Sequence, residues 1–289
     1  MILTHHRNDR TGPAIAWEES ACLLCGNSES KPLFEAADPL GEHLRFLIVQ
    51  CKRCGLCFTN PRPDAASIAQ FYPRDYPCHH GKHRPPRRDF VCTPPGCGPA
   101  RLLDFGCGGG DYLRRMHALG WTVTGLDVAP AAVERTRGFG LAAQLGTLPS
   151  LEWSESCFEA ITFWQSLEHT HQPLEVLSNA FRLLSTGGKL FVTVPNFDSF
   201  GARWFGAAWY GLDVPRHLIH FTPNTLRLML MLAGFRDIAI VQQQHNSWIR
   251  HSARRHGRSI FATRFASSIA GAWARWRGRA EGILAMAVK

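Results

Sequence analysis

The chain has 289 residues, 45% hydrophobic and 19% charged, with a net charge of +9. That composition supports a buried core and excludes a disordered chain, and the length allows one large domain or one domain with a small appendage. No apolar run reaches the ~18–20 residues needed to span a bilayer, and residues 1–20 lack the apolar stretch of a signal peptide. A cytoplasmic location is therefore expected, with cysteines serving as thiols or metal ligands rather than disulfides.

In chain order, the first feature is a pair of cysteine knuckles, CLLCG (22–26) and CKRCG (51–55). Two thiolates on each tight turn, followed by a glycine that lets backbone N–H groups face sulfur, offer four ligands to a tetrahedral Zn2+: Cys22, Cys25, Cys51 and Cys54. Their separation slightly exceeds the usual zinc spacing. A four-cysteine set is coordinatively closed, so the ion would be structural and would replace a core that ~60 residues are too few to build. A redox dithiol is the alternative. Residues 78–100, rich in proline, glycine and charge, read as a linker with a basic cluster at 79–89. The expected organisation is a zinc-binding module at 1–78, a linker at 79–98 and an α/β domain at 99–289, with a basic amphipathic insertion at 244–281.

Beyond residue 100, strand-like and helix-like segments alternate. Strands are expected at 101–105, 122–128, 158–164, 189–195, 237–243 and 282–289; helices are expected at 111–119, from Pro130 onward, at 173–185 and at 222–235. The last of these helices carries both end signals, Thr222 as N-cap before Pro223 and Gly234 past the final turn, while Gly187-Gly188 stops the one before it. Such alternation implies a doubly wound, Rossmann-like α/β sheet.

The first strand runs into LLDFGCGGGDYL (102–113), where the chain must turn sharply into a helix. Gly106, Gly108 and Gly110 remove Cβ atoms where the backbone meets a ligand. A dinucleotide fingerprint would need glycine at 111, which is Asp111; the fit is D-x-G-x-G-x-G from Asp104. An acid ahead of the turn suits a ligand bearing an ammonium group better than a pyrophosphate. Asp127, at the tip of the second strand, stands where a carboxylate can take two ribose hydroxyls. A cationic amino-acid head plus a ribose, with no phosphate, describes S-adenosylmethionine.

At these residues the sequence resembles the class I S-adenosylmethionine-dependent methyltransferases. LLDFGCGGG is similar to their first motif, VTGLDVAP to the acidic second-strand motif, ITFWQSLEHTHQP to the fourth-strand segment and LLSTGGKLFVTVPN to the glycine turn and fifth strand. The resemblance covers about 101–289 and implies a seven-stranded sheet whose last strand, 282–289, is antiparallel. It also implies that Gly106, Gly108 and Gly110 line the methionine and ribose, that Asp104 meets the amino group, that Asp127 with Val128 flanks the ribose, and that Gln165 faces the methionyl end. Many relatives carry an acid after the third strand to meet adenine; here LGTLPS (145–150) leaves that contact to Thr147 and Leu148. CGLCFTNPRP (54–63) further resembles the N-terminal zinc-binding segment of some bacterial methyltransferases that act on sugars and other small metabolites.

Methyl transfer from a sulfonium requires donor and acceptor to be held collinear, and a base only where the attacking atom must lose a proton. The segment 195–223, on the ligand-binding edge of the sheet, resembles the P-R-H-L-x-H-F element of the small-molecule branch and offers His217 as base, then His220; His169 follows from SLEHTH. Trp204, Trp209 and Tyr210 are expected to wall the acceptor pocket. Residues 244–280 hold eight arginines and no acid, and Phe261, Phe265, Ile269, Ala272, Trp273 and Trp276 recur at helical spacing. Such a helix either docks its apolar face on the sheet edge, the favoured reading, or lies on an anionic membrane, which would make the protein peripheral there. The expected function is methyl transfer to a small-molecule acceptor such as a sugar or lipid-linked metabolite. The alternative is a nucleic-acid-directed methyltransferase or an RNA- or DNA-binding protein, which the basic charge suggests. Against it, the sequence at 195–196 departs from the catalytic motif of amino-directed nucleic-acid enzymes.

Overall fold

A computed structural model describes residues 14–41, 44–73, 100–149 and 153–289. The expected linker, its basic cluster, and Cys78, Cys92 and Cys97 lie outside the described residues.

The N-terminal part is built from short strands: β1 (Trp17–Glu18), β2 (Ser30–Ala37), β3 (Arg45–Cys51), β4 (Cys57–Thr59) and β5 (Arg62–Pro63). β1 pairs antiparallel with β5, and β2, β3 and β4 form an antiparallel meander. The alternating burial of β3 follows its apolar pattern, with Phe46 and Ile48 turned inward.

The remainder forms a seven-stranded sheet. β6 (Arg101–Phe105), β7 (Thr122–Asp127), β8 (Ala142–Leu145), β9 (Phe158–Trp164) and β10 (Leu184–Pro195) are parallel. They are interleaved with α1 (Asp111–Ala118), α2 (Pro130–Gly138) and α3 (Pro173–Leu183). After β10 come α4 (Phe200–Phe205), the two-residue β11 (Ile219–His220), α5 (Pro223–Leu232), β12 (Arg236–Gln243), α6 (Asn246–Arg255), α7 (Arg264–Trp276) and β13 (Gly282–Val288). The strand order is β12-β13-β10-β9-β6-β7-β8, with β13 antiparallel to both neighbours. β6, β9 and the end of β10 are apolar on both faces because helices cover both.

The expected closing strand and its direction are therefore found. α5 starts as read, with Thr222 and Thr225 exchanging side-chain and backbone bonds in a capping box. Two boundaries differ. The helix expected to reach residue 185 ends at Leu183, and β10 runs through Gly187-Gly188, so that glycine pair lies within the strand. β8 (AAQL) is only four residues long with just Ala143 buried, and its pattern gave no strand signal.

The two sheets are not separate bodies. β11, deep in the C-terminal part, pairs antiparallel with β4 and completes a four-stranded sheet in the order β11-β4-β3-β2. One hydrophobic cluster joins Cys22, Val49 and Phe58 of the N-terminal part to Phe163, Leu218 and Ile219.

Candidate cofactor and acceptor site

The glycine turn lies where β6 meets α1, at the carboxyl edge of the parallel strands, where open α/β sheets take their ligands. Gly106, Gly108 and Gly110 have φ of +71°, +51° and +79°, a left-handed conformation that a Cβ resists. A Cβ on Gly106 would fall 2.5 Å from that of Ser166, and one on Gly110 would fall 2.6 Å from Oγ1 of Thr136. Packing against the segment after β9 and against α2 thus demands glycine here, independently of any ligand.

Asp127 is aimed by backbone donors. Gly108 N–H donates to its Oδ2 at 2.8 Å and Ala129 N–H to its Oδ1 at 2.9 Å. Each carboxylate oxygen keeps lone-pair capacity for a further donor such as a ribose hydroxyl. Asp104 pairs in register with Thr162 on β9, whose hydroxyl donates to its Oδ1 at 2.7 Å. Burial raises the Asp104 pKa to about 8, the Thr162 bond working against the shift and the charge of Asp127 adding to it. Val128 is 71% exposed beside Asp127, a bare apolar surface next to the cleft. Thr147 is exposed, whereas the Leu148 side chain belongs to the core, leaving only its backbone to meet a ligand. Gln165 has φ of +54° and donates its N–H to the Thr193 carbonyl at 2.9 Å. Residues 104–111 contain three glycine positions of the motif, acids at both ends and no lysine or arginine, a donor set that fits a cationic nucleoside and not a pyrophosphate.

Of the residues expected to serve the acceptor, the structure brings His169 and His217 together, with Glu168 beside them. The carboxylate of Glu168 is fully buried and neither oxygen has a hydrogen-bond partner. Burial raises its pKa to about 8. Nδ1 of His217 lies 2.9 Å from the Gly211 carbonyl, which can only accept, so Nδ1 carries the proton and Nε2 faces Glu168 Oε1 at 3.9 Å. That gap is too long for a hydrogen bond. The His169 and His217 rings meet edge to face at 4.7 Å, and burial followed by the neighbouring His217 lowers the His169 pKa to about 3. Donor atoms of the three residues lie within 4.8 Å of one another, close enough to share a proton or a cation. Sequence reasoning singled out the two histidines and passed over Glu168, although it stands in the same SLEHTH run.

His220 is held apart from this group, its Nε2 3.2 Å from Oγ1 of Thr59 on β4. The aromatic residues expected to wall the acceptor pocket behave differently. Trp209 is a core residue, 1% exposed, whose Nε1–H donates to Glu281 at 2.7 Å. Trp204 points outward and stacks on Phe200, and Tyr210 packs against Trp248 and His251. The segment 213–221 is anchored by Arg216, fully buried and bonded to Asp38, to Asp213 and to the Phe71 carbonyl. Tyr72 adds a hydroxyl 2.8 Å from Nδ1 of His169. The N-terminal part therefore reaches the histidine cluster.

At the knuckles, Cys22 Sγ lies 3.4 Å from Cys54 Sγ and Cys25 Sγ 3.6 Å from Cys51 Sγ, and all four sulfurs fall within 4.8 Å of one another. Tetrahedral thiolates at ~2.3 Å from an ion would be ~3.8 Å apart. Gly26 and Gly55 take the left-handed turn after each pair. Cys107 is buried in the cluster around Tyr112 and Leu113, and Cys157 packs, partly buried, against the separate cluster that holds Phe158.

A doubly wound sheet of this order, with an acid-flanked glycine turn and a second-strand aspartate, defines a class I S-adenosylmethionine-dependent methyltransferase fold. A family model for a methyltransferase domain matches residues 82–240, more than half of the chain, and the chain belongs to that family. It is 33% identical over 146 residues to a ubiquinone biosynthesis O-methyltransferase of Xanthomonas oryzae pv. oryzae, covering 47% of this chain and 61% of that protein. With the enzyme of the same description from Xanthomonas campestris pv. campestris the identity is 29% over 188 residues, 61% of this chain and 78% of the other. The chain thus spans about three fifths of the length of the first of these relatives. Among solved structures, the complex of the Haloferax volcanii Trm112 methyltransferase activator with a methyltransferase matches with a TM-score of 0.52 at 17% identity, over 67% of this chain and 84% of that one. At that identity the likeness concerns fold alone.

Proposed function

We propose that this chain transfers the methyl group of S-adenosylmethionine to a hydroxyl of a small-molecule acceptor, and that its four knuckle cysteines hold a structural Zn2+. The observation that carries the first part is Glu168, a buried carboxylate without partners facing the Nε2 of His217, two residues beyond the serine that touches Gly106. The Xanthomonas relatives, described as O-methyltransferases, support a hydroxyl acceptor.

When bound, S-adenosylmethionine supplies a methyl group already activated on a sulfonium. Asp127 would hold the ribose hydroxyls, Asp104 would meet the amino group and Val128 would lie under the adenine. His217, its Nδ1 committed to Gly211, has Nε2 available to accept the acceptor's hydroxyl proton as the oxygen attacks. The imidazolium forms beside Glu168, whose buried carboxyl is ionised only above about pH 8 and can stabilise the ring there, and Gly211 keeps the ring oriented.

The test is transfer from labelled S-adenosylmethionine to a panel of phenols, sugar hydroxyls and amines. Glu168→Gln and His217→Gln should each lower kcat by roughly 10²–10⁴, with cofactor affinity nearly unchanged. Wild-type kcat in both variants, or transfer to amines alone, would refute the reading. The spacing of the three donor atoms favours one second reading, in which Glu168, His169 and His217 hold a divalent cation that activates the hydroxyl. Transfer lost to a chelator under conditions that leave the knuckle sulfurs loaded, and restored by a transition-metal ion such as Mn2+ or Co2+, would select it.

A further inference from the structure

The insertion between β12 and β13 contradicts the expectation that its apolar face packs on the sheet. α7 is docked, but by its opposite side. Ser267, Ala270, Gly271 and Ala274 are buried against α6 and α4, while Phe265, Ile269, Trp273 and Trp276 are exposed by 78%, 56%, 47% and 77%. At 100° per residue the buried small-residue face and the exposed apolar stripe lie roughly 150° apart around the helix. Small residues on the inner face let the backbone approach closely, so burial requires no large side chain there. Ile260, before α7, is exposed as well, and Trp204, on α4, stacks on the same Phe200 ring that Trp273 meets edge to face. Four large apolar side chains exposed on one face of a helix are uncommon on a protein's outer surface.

The charged residues of α7 are all arginines. Arg264 and Arg275 lie on one flank of the stripe, and Arg277 lies over both Trp273 and Trp276 at 5.8 Å. Arg258 lies over Trp204 at 5.7 Å. Guanidinium groups resting on indoles hold positive charge at the level where the apolar stripe meets solvent. We infer that this face is a peripheral docking surface for an anionic lipid bilayer, with the Phe265–Trp276 stripe entering the interface and the arginines meeting lipid phosphates. Charge decides among occupants. A second copy of the chain would bring the same patch against itself, arginine facing arginine, with no acid between 244 and 280 to pair them. Nucleic acid would lay phosphates along a stripe centred on Phe265 and Ile269, which offers them nothing. An anionic membrane matches both the apolar centre and the basic edge. No helix among the described residues is long and apolar enough to cross a bilayer, so the contact is with its surface.

The test is flotation of the full chain with vesicles of phosphatidylcholine alone and with about 30% phosphatidylglycerol. The protein should float with the anionic vesicles only and be released as NaCl rises from about 0.1 to about 0.5 M. Phe265→Ser/Trp276→Ser, at two exposed positions, should weaken binding at least about tenfold while the circular dichroism and S-adenosylmethionine affinity stay as in the wild type. The inference is overturned by no flotation on either vesicle, by equal binding to both, by full binding of the double variant, or by a dimer that the double substitution disperses.

Discussion

Asp104 shows how a residue legible by position hides its chemistry. Its place before the glycine turn is visible in the sequence; its protonation is not, because that depends on β6 and β9 burying it together. With a folded-state pKa of about 8, against ~3.9 in an unfolded chain, the native state holds a proton that the unfolded state gives up. The stability this group contributes is complete below about pH 4 and is lost as pH rises through about 8. Urea melts between pH 5 and 8 should therefore show a shallower decline for Asp104→Asn than for the wild type; equal slopes would mean the carboxyl is ionised when buried. An ammonium arriving beside Asp104 would expel that proton, so binding enthalpy at pH 7 should vary with the ionisation heat of the buffer. Glu168 illustrates the same limit from the other side. No sequence pattern distinguishes a carboxylate with empty lone pairs from one capped by backbone, and only the fold reveals that both its oxygens lack partners.

At the level of elements, four of the five parallel strands were readable as apolar runs bounded by turns, the short β8 being missed, and α5 was readable because its caps are explicit. The N-terminal meander was not. β2 is half exposed and interrupted by Pro32, and the partner of β4 is a two-residue strand more than half the chain away. α7 was found by its period, but period gives a stripe and not the side on which the protein lies. The element that joins the halves is the Arg216 segment, which the sequence reading treated as a bearer of histidines. Replacing Arg216 with Met would leave Asp38 and Asp213 facing each other without their cation, a loss of about 3–5 kcal/mol in the urea midpoint comparison. Because Thr59, Asp38 and Tyr72 touch His220, Arg216 and His169, metal at the knuckles should matter to chemistry at a distance. Elemental analysis should find one zinc per chain. Cys54→Ser should lose the ion and lower transfer activity far more than cofactor affinity; equal losses in both would mean general unfolding.

Across the whole molecule, the strand order, the glycine turn and the aspartate at the tip of β7 together present one edge of the sheet to a nucleoside, while the insertion at 244–281 carries a basic, apolar surface of its own. The central claim is that the turn takes S-adenosylmethionine with no anion involved. Titration calorimetry with S-adenosylmethionine and with its demethylated product tests it most directly, on the wild type and on Asp127→Ala. Both ligands should bind the wild type one to one, and the variant should bind at least roughly a hundredfold more weakly, since two hydrogen bonds to a charged group are lost. A wild-type chain that binds neither compound, or an Asp127→Ala chain that binds them equally well, would contradict the account.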